Sequence, residues 1–230
     1  MHFDTVKIFP TTIYIGELPN HEENKKYFYN LYPKYDYEET EYITTVSEEC
    51  GNPLLHLEPD LEPLFKNISL HIKNYIQDTL LLKDVFDITI TKTWLSRTRN
   101  PEYHIPAHTH SSSHISFVYY INIPKNSHKL KFLNIHEPNS LFSDIFHGAR
   151  NKDSAFVNSY NEHNAQSFSL TPEEGTIIIF PSKLPHGTEA IDKNFNGERL
   201  AIVGDCILIL KEDQLKYSMG YIHEKHWKKF

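Results

Sequence analysis

The chain has 230 residues, a formal net charge of -7 and 39% hydrophobic residues with 13% aromatics, a composition that fits a globular protein able to bury a core without disulfides. The acidic balance argues against an extended phosphate-binding surface; HEKHWKKF at the C-terminus is only a local basic patch. Cys50 and Cys206 lie far apart with no CxxC pair, and no eighteen apolar residues run together, so a disulfide framework, a zinc finger and a membrane-spanning helix are not expected.

In chain order, MHFDTVKIFPTTIYIGEL carries charges inside its apolar stretch and no small-residue cleavage site, so a secretion signal is not expected, and KIFPTTIYIG within it reads as a strand-like opening. A reducing cytosol is the expected compartment. Residues 21–58 are rich in Glu, Asn, Lys and Tyr without clear period and read as loop with short helical pieces. Next, Leu61, Leu64, Phe65, Ile68, Ile72, Tyr75 and Ile76 recur at three- and four-residue steps, which predicts a helix from about 60 to 80 lying on a core. From residue 86 the period changes to two. FDITITKTWL, HISFVYYINI, KLKFLNI, SAFVNSY, AQSFSLT, GTIIIFPS and RLAIVGDCILIL all read as strands. Strands in this number after one helix predict a mainly β sandwich or barrel with helical support. We expect one domain over 1–230: a buttress at 1–85, a β core at 86–210 and a tail at 211–230.

HIPAHTHSSSH, residues 104–114, holds four of the chain's 15 histidines. In an extended segment, positions i and i+2 point to one side, so His108 and His110 can face one point in space. Two neutral imidazoles suit a first-row divalent metal, which generally needs a third ligand; alone, the pair also suits a solvated loop. GTIIIFPSKLPHGTEA supplies His186 after an apolar strand, near enough if the two segments are neighbours. Arg199 then opens the last apolar strand. A buried guanidinium needs a carboxylate, either an internal Asp or Glu or a ligand's own.

The order His-x-His, Tyr-rich strand, distal His, Arg resembles the 2-oxoglutarate/Fe(II)-dependent oxygenases. HTHSSSHISFVYYI and FPSKLPHGTEA are similar to a branch with a pattern near HxHpns-x-x-SGvYY and FPSwlxH, over roughly residues 87–210. The resemblance implies a double-stranded β-helix (jelly roll, cupin-like) with an N-terminal supporting helix. It also implies Fe(II) on His108, His110 and His186, with 2-oxoglutarate and O2 as cosubstrates. Arg199 would hold the distal carboxylate of 2-oxoglutarate beside the Tyr120 hydroxyl, while Tyr119, of opposite parity, packs outward in the core. The activity implied is hydroxylation with release of succinate and CO2. Likeness of the YYIN strand to prolyl-hydroxylase-like members points to a peptidyl or prolyl substrate. Two residues depart from the pattern. His110 stands where most of the superfamily has a carboxylate, a choice some of the branch shares, which leaves the site one more positive charge; Phe117 stands where the branch has Gly, which either narrows the pocket or fills core.

Two alternatives remain open: a three-His cupin dioxygenase that needs no 2-oxoglutarate, and a non-catalytic cupin-like binding module. His104 and His114 are expected at the rim or behind the ligands, because Pro106 opposes a helix there. Residues 128–163 are expected to form an excursion near the barrel mouth that selects substrate. Asn122 and Thr188 suit structural hydrogen bonds as well as functional ones, and Cys206 suits a small core residue.

Overall fold

A computed structural model describes residues 10–31, 37–39, 44–46, 54–99, 101–102, 104–136, 138–139, 141, 157–189, 195–217 and 224–229. The helix expected near 60–80 begins as α2 (Glu62–Asn74) and continues into a π-helical turn, Tyr75–Thr79. Proline in its first turn, with Glu62 at that end and His71 and Lys73 at the other, suits the helix dipole. Its stripe Leu64, Phe65, Ile68 and Ile72 is buried, and each such side chain contributes about 1.5–3 kcal/mol by leaving water.

The stripe packs on a seven-stranded antiparallel sheet. Its strands are β1 (Tyr14–Glu17), β2 (Tyr37–Glu39), β3 (Thr44–Val46), β4 (Phe86–Thr98), β5 (Ile115–Asn122), β8 (Thr176–Pro181) and β10 (Arg199–Leu210), in the order β1-β8-β5-β10-β4-β3-β2. A second sheet holds β6 (Lys129–Leu133), β7 (Ser167–Leu170) and β9 (His186–Glu189), in the order β7-β6-β9. The result is a mainly β protein with few helices. Among the described residues, no helix is long and apolar enough to cross a membrane.

Two cores follow from strand parity. Phe117, Tyr119 and Ile121 of β5 join α2, Phe28 and Leu200, Ile202 and Cys206 of β10 on the helix side of the large sheet. Val118 and Tyr120 turn the other way, meeting Leu130 and Phe132 of β6 and Ile178 and Phe180 of β8 between the sheets. β5 is therefore buried on both faces, and in place of the period of two expected of these strands its residues are buried almost throughout. Tyr119 hydrogen-bonds His21 of α1 (His21–Leu31) at 2.8 Å, and Cys206 is fully buried in the helix-side core.

Phe117 fills core and does not narrow a pocket. It sits opposite Gly204 on β10, where a Cβ would overlap the Phe117 ring. The large residue on one strand is matched by the missing side chain on the next. Gly204→Ala should cost about 1–3 kcal/mol through overpacking. Adding Phe117→Leu should recover part of that loss, because the two positions are in contact; urea unfolding midpoints would read both.

Several expectations shift. The segment 21–58 holds α1 and the short β2–β3 pair besides brief helical turns. The strand expected over SAFVNSY does not form at 157–160, and its first residues, like 7–9 of the opening strand, lie outside the described residues.

Candidate metal centre

The backbone brings the two histidine segments together before any side chain does so. Ahead of β5, the segment containing His108 forms an isolated antiparallel bridge with β9 at His186. Each residue's N–H donates to the other's carbonyl, at 2.9 and 3.0 Å. The His110 N–H donates to the Ser182 carbonyl at 3.0 Å, the Thr188 N–H to Ile105 O at 2.9 Å, and the Ile105 N–H to Thr188 Oγ1 at 2.7 Å. Gly187 permits this approach, since a Cβ there would stand 2.5 Å from the Ile105 carbonyl oxygen.

One ligand nitrogen from each of His108, His110 and His186 then lies within 4.8 Å of the others, the one such cluster found among the described residues. The Nε2 atoms of His108 and His110 are 3.2 Å apart. The three ring centroids are 4.6–5.1 Å from one another.

The chain itself selects the tautomers. Nδ1 of His108 faces the Pro106 carbonyl oxygen and Nδ1 of His186 the Leu184 carbonyl oxygen, each at 2.8 Å. Carbonyl oxygens only accept, so both Nδ1 atoms carry the proton and leave the Nε2 lone pairs for a Lewis acid. The third, His110 Nδ1, faces Asp205 Oδ1 at 2.5 Å. Burial pushes the Asp205 carboxyl up, but hydrogen bonds from His110, Ser116 and Ser113 and the charge of His110 outweigh it and hold the group below the ordinary carboxylate range. His186 packs against Phe180 at 4.6 Å and Phe132 at 6.5 Å between centroids. That burial drives its pKa down to about 4, with His108 and His110 adding to the effect and the Leu184 carbonyl opposing it. At neutral pH no proton competes for its lone pair. Trp94 of β4 completes the rim, with its ring centroid 6.0 Å from His110.

The other two expected site residues face each other on neighbouring strands. Arg199 is 2% exposed and its guanidinium carbon lies 5.2 Å from the Tyr120 ring centroid. Among the described residues, Arg199 Nε and the Tyr120 hydroxyl have no hydrogen-bond partner. No described ion pair involves Arg199. A buried cation set beside a buried phenol hydroxyl, with no described ion pair of its own, fits a bound anion.

The flanking histidines stay apart from the cluster. His114 accepts from the Leu208 N–H at 3.0 Å, and the His104 ring lies beside the Glu102 carbonyl. Asn122 donates to the Glu198 carbonyl and Thr188 accepts from Ile105, so both serve structure. Asp205, Ser113, Ser116 and Ser182 were not anticipated; the one available signal was a lone carboxylate in the apolar run IVGDCILIL.

Fold and site together define a mainly β protein whose three-imidazole cluster suits a first-row divalent metal. Residues 92–205 match the family described as "Putative 2OG-Fe(II) oxygenase". The chain is a member of this superfamily of non-haem iron oxygenases, which use ferrous iron, 2-oxoglutarate and dioxygen. Solved structures share the fold at low identity. A 2OG-Fe(II) oxygenase family oxidoreductase from Burkholderia pseudomallei is 11% identical, covers 85% of this chain and 84% of its own, and has a TM-score of 0.53. A prolyl hydroxylase from Trichoplax adhaerens, in complex with a hypoxia inducible factor peptide fragment, gives 14%, 90%, 87% and 0.52. HygX from Streptomyces hygroscopicus, with nickel, 2-oxoglutarate and hygromycin B bound, gives 11%, 85%, 82% and 0.53. No curated protein matches the chain in sequence.

Proposed function

We propose that the chain is a double-stranded β-helix dioxygenase, cupin-like with α2 as its supporting helix, that hydroxylates a peptidyl substrate, with a prolyl residue as the first candidate, and releases succinate and CO2. The observation that carries this reading is the cluster of three imidazoles whose Nδ1 atoms are all committed to acceptors. His108, His110 and His186 would hold the iron through Nε2. A ferrous ion so held supplies redox chemistry with dioxygen at positions the protein leaves open.

The chain's own residues do the rest. Phe132 and Phe180 keep water from the His186 side of the site. Arg199 and the Tyr120 hydroxyl would take the distal carboxylate of 2-oxoglutarate, which gives the buried guanidinium its missing partner. Guanidinium and carboxylate match in shape as well as charge. The prolyl preference draws support from the shared fold of the Trichoplax enzyme and from the YYIN strand.

The test is anaerobic titration of the Fe(II)-loaded protein with 2-oxoglutarate. A weak visible charge-transfer band should appear with wild type and fail to appear with Arg199→Ala at the same concentration. Iron bound without the band in wild type would replace this reading with a three-His dioxygenase independent of 2-oxoglutarate. Failure to bind iron would leave a binding module.

A further inference from the structure

Most of the superfamily has a carboxylate where this chain has His110, so the sequence alone leads one to expect a site one negative charge short. The structure places a carboxylate one imidazole further back. Asp205 Oδ1 accepts from His110 Nδ1 at 2.5 Å, and both side chains are largely buried, at 15% and 11% exposed. Among the described residues, the other two imidazoles of the cluster have neutral main-chain carbonyls behind them, those of Pro106 and Leu184. The anion therefore stands behind the one imidazole that occupies the carboxylate's position in the motif.

The arrangement is built rather than incidental. Ser116 Oγ and Ser113 Oγ lie 2.9 and 3.2 Å from the same Asp205 oxygen, and Ser182 Oγ joins them at 2.9 and 2.6 Å. Ser113, Ser116 and Ser182 are buried. The four residues come from the loop before β5, from β5, from the turn after β8 and from β10. A largely buried carboxylate fixed by hydroxyls on one side has a single orientation, and that orientation points at His110. On β10, Arg199 and Asp205 are the two charged residues of the strand, and both border the inter-sheet side.

We propose that Asp205 is a positioning residue that returns the missing negative charge to the metal site through His110. The proposal rests on the three-histidine assignment above. A hydrogen bond from a ligating imidazole to a carboxylate raises the basicity of the metal-bound nitrogen and fixes the ring. His110 with Asp205 then acts toward a cation as a more anionic donor than His108 or His186. Losing such a partner typically costs 10–100-fold in metal affinity.

Ni(II) binding by titration calorimetry tests this without turnover. Asp205→Asn, which keeps the shape and removes the charge, should weaken Ni(II) binding about 10–100-fold. The double variant His110→Asp/Asp205→Asn, which moves the carboxylate into the ligand position, should recover most of that loss. A purely structural role for Asp205 predicts no such rescue. Asp205→Asn binding Ni(II) as tightly as wild type, while folded by circular dichroism, would overturn the proposal and leave the ligand assignment intact. Absence of Ni(II) binding in wild type would overturn both. Should Asp205→Asn not fold, proton NMR of Zn(II)-loaded wild type decides. The His110 Nδ1 proton is expected furthest downfield of the three ligand Nδ1 protons; a position level with the other two would overturn the proposal.

Discussion

Replacing Arg199 with methionine is expected to make the ligand-free protein more stable and to remove its response to 2-oxoglutarate. The two effects have opposite sign for one reason. In the absence of an anion, the Arg199 guanidinium is buried without an ion pair among the described residues, and stacking over Tyr120 offsets only part of that cost. An apolar chain of similar length avoids the cost, and such replacements gain about 1–4 kcal/mol in comparable buried sites. On the proposed reading 2-oxoglutarate supplies the partner of the wild-type cation, and breaking a buried charge pair costs about 3–5 kcal/mol, or roughly two to three and a half decades of affinity. Thermal melts of the Ni(II)-loaded proteins, with and without 2-oxoglutarate, read both effects. The variant should melt higher without the ligand. Only wild type should shift upward with it, by about 2.7 kcal/mol at a hundredfold excess over Kd. Tyr120→Phe, which removes one neutral hydroxyl, should weaken 2-oxoglutarate binding by only about 0.5–1.5 kcal/mol. A ligand-free Arg199→Met protein less stable than wild type would show that the arginine serves the fold.

His186→Ala should reduce bound Ni(II) to background while leaving the protein folded, whereas His104→Ala and His114→Ala should keep a full complement. The bridge to His108 uses main-chain groups, so the alanine variant retains the strand contact and loses the imidazole. The same substitution should flatten the acid limb of stability in the metal-free protein. The folded-state pKa of His186 is about 4 against an ordinary 6.5, so between those values the unfolded chain binds a proton that the folded one does not. Stability from the neutral buried ring is present above pH 6.5 and declines as pH falls toward 4, by an amount on the order of 3 kcal/mol. Urea unfolding at pH 7 and pH 4.5 should show a smaller pH-dependent loss in the variant. An equal loss in both would place the titrating group elsewhere.

What the sequence disclosed, and what it withheld, follows one rule. Patterns that lie along a single segment were readable. The helical stripe of α2, the opposite parity of Tyr119 and Tyr120 and the shared side of His108 and His110 each depend on local periodicity, and each is found in the structure. Relations between segments were not. Whether Phe117 narrows the pocket or fills core is not readable from its own segment, because Gly204, its partner across the sheet, lies far along the chain. Asp205 looked like a strand residue, since nothing local connects it to His110 or to the three serines. β9 was missed because HGTE is short and lacks a β-branched run. The β2–β3 pair was missed because three-residue strands are too short to show a period.

The bridge between His108 and His186 makes assembly of the metal site and correct strand registration a single event. Side chains alternate along an extended segment, so a slip of one residue would turn both His108 and His110 outward and present Ala107 and Thr109 to His186. A mispaired chain would have no partial site to trap a cation in the wrong place. A bound ion, once held by ligands from both segments, acts as a clasp across the seam between them and records that the seam closed in register.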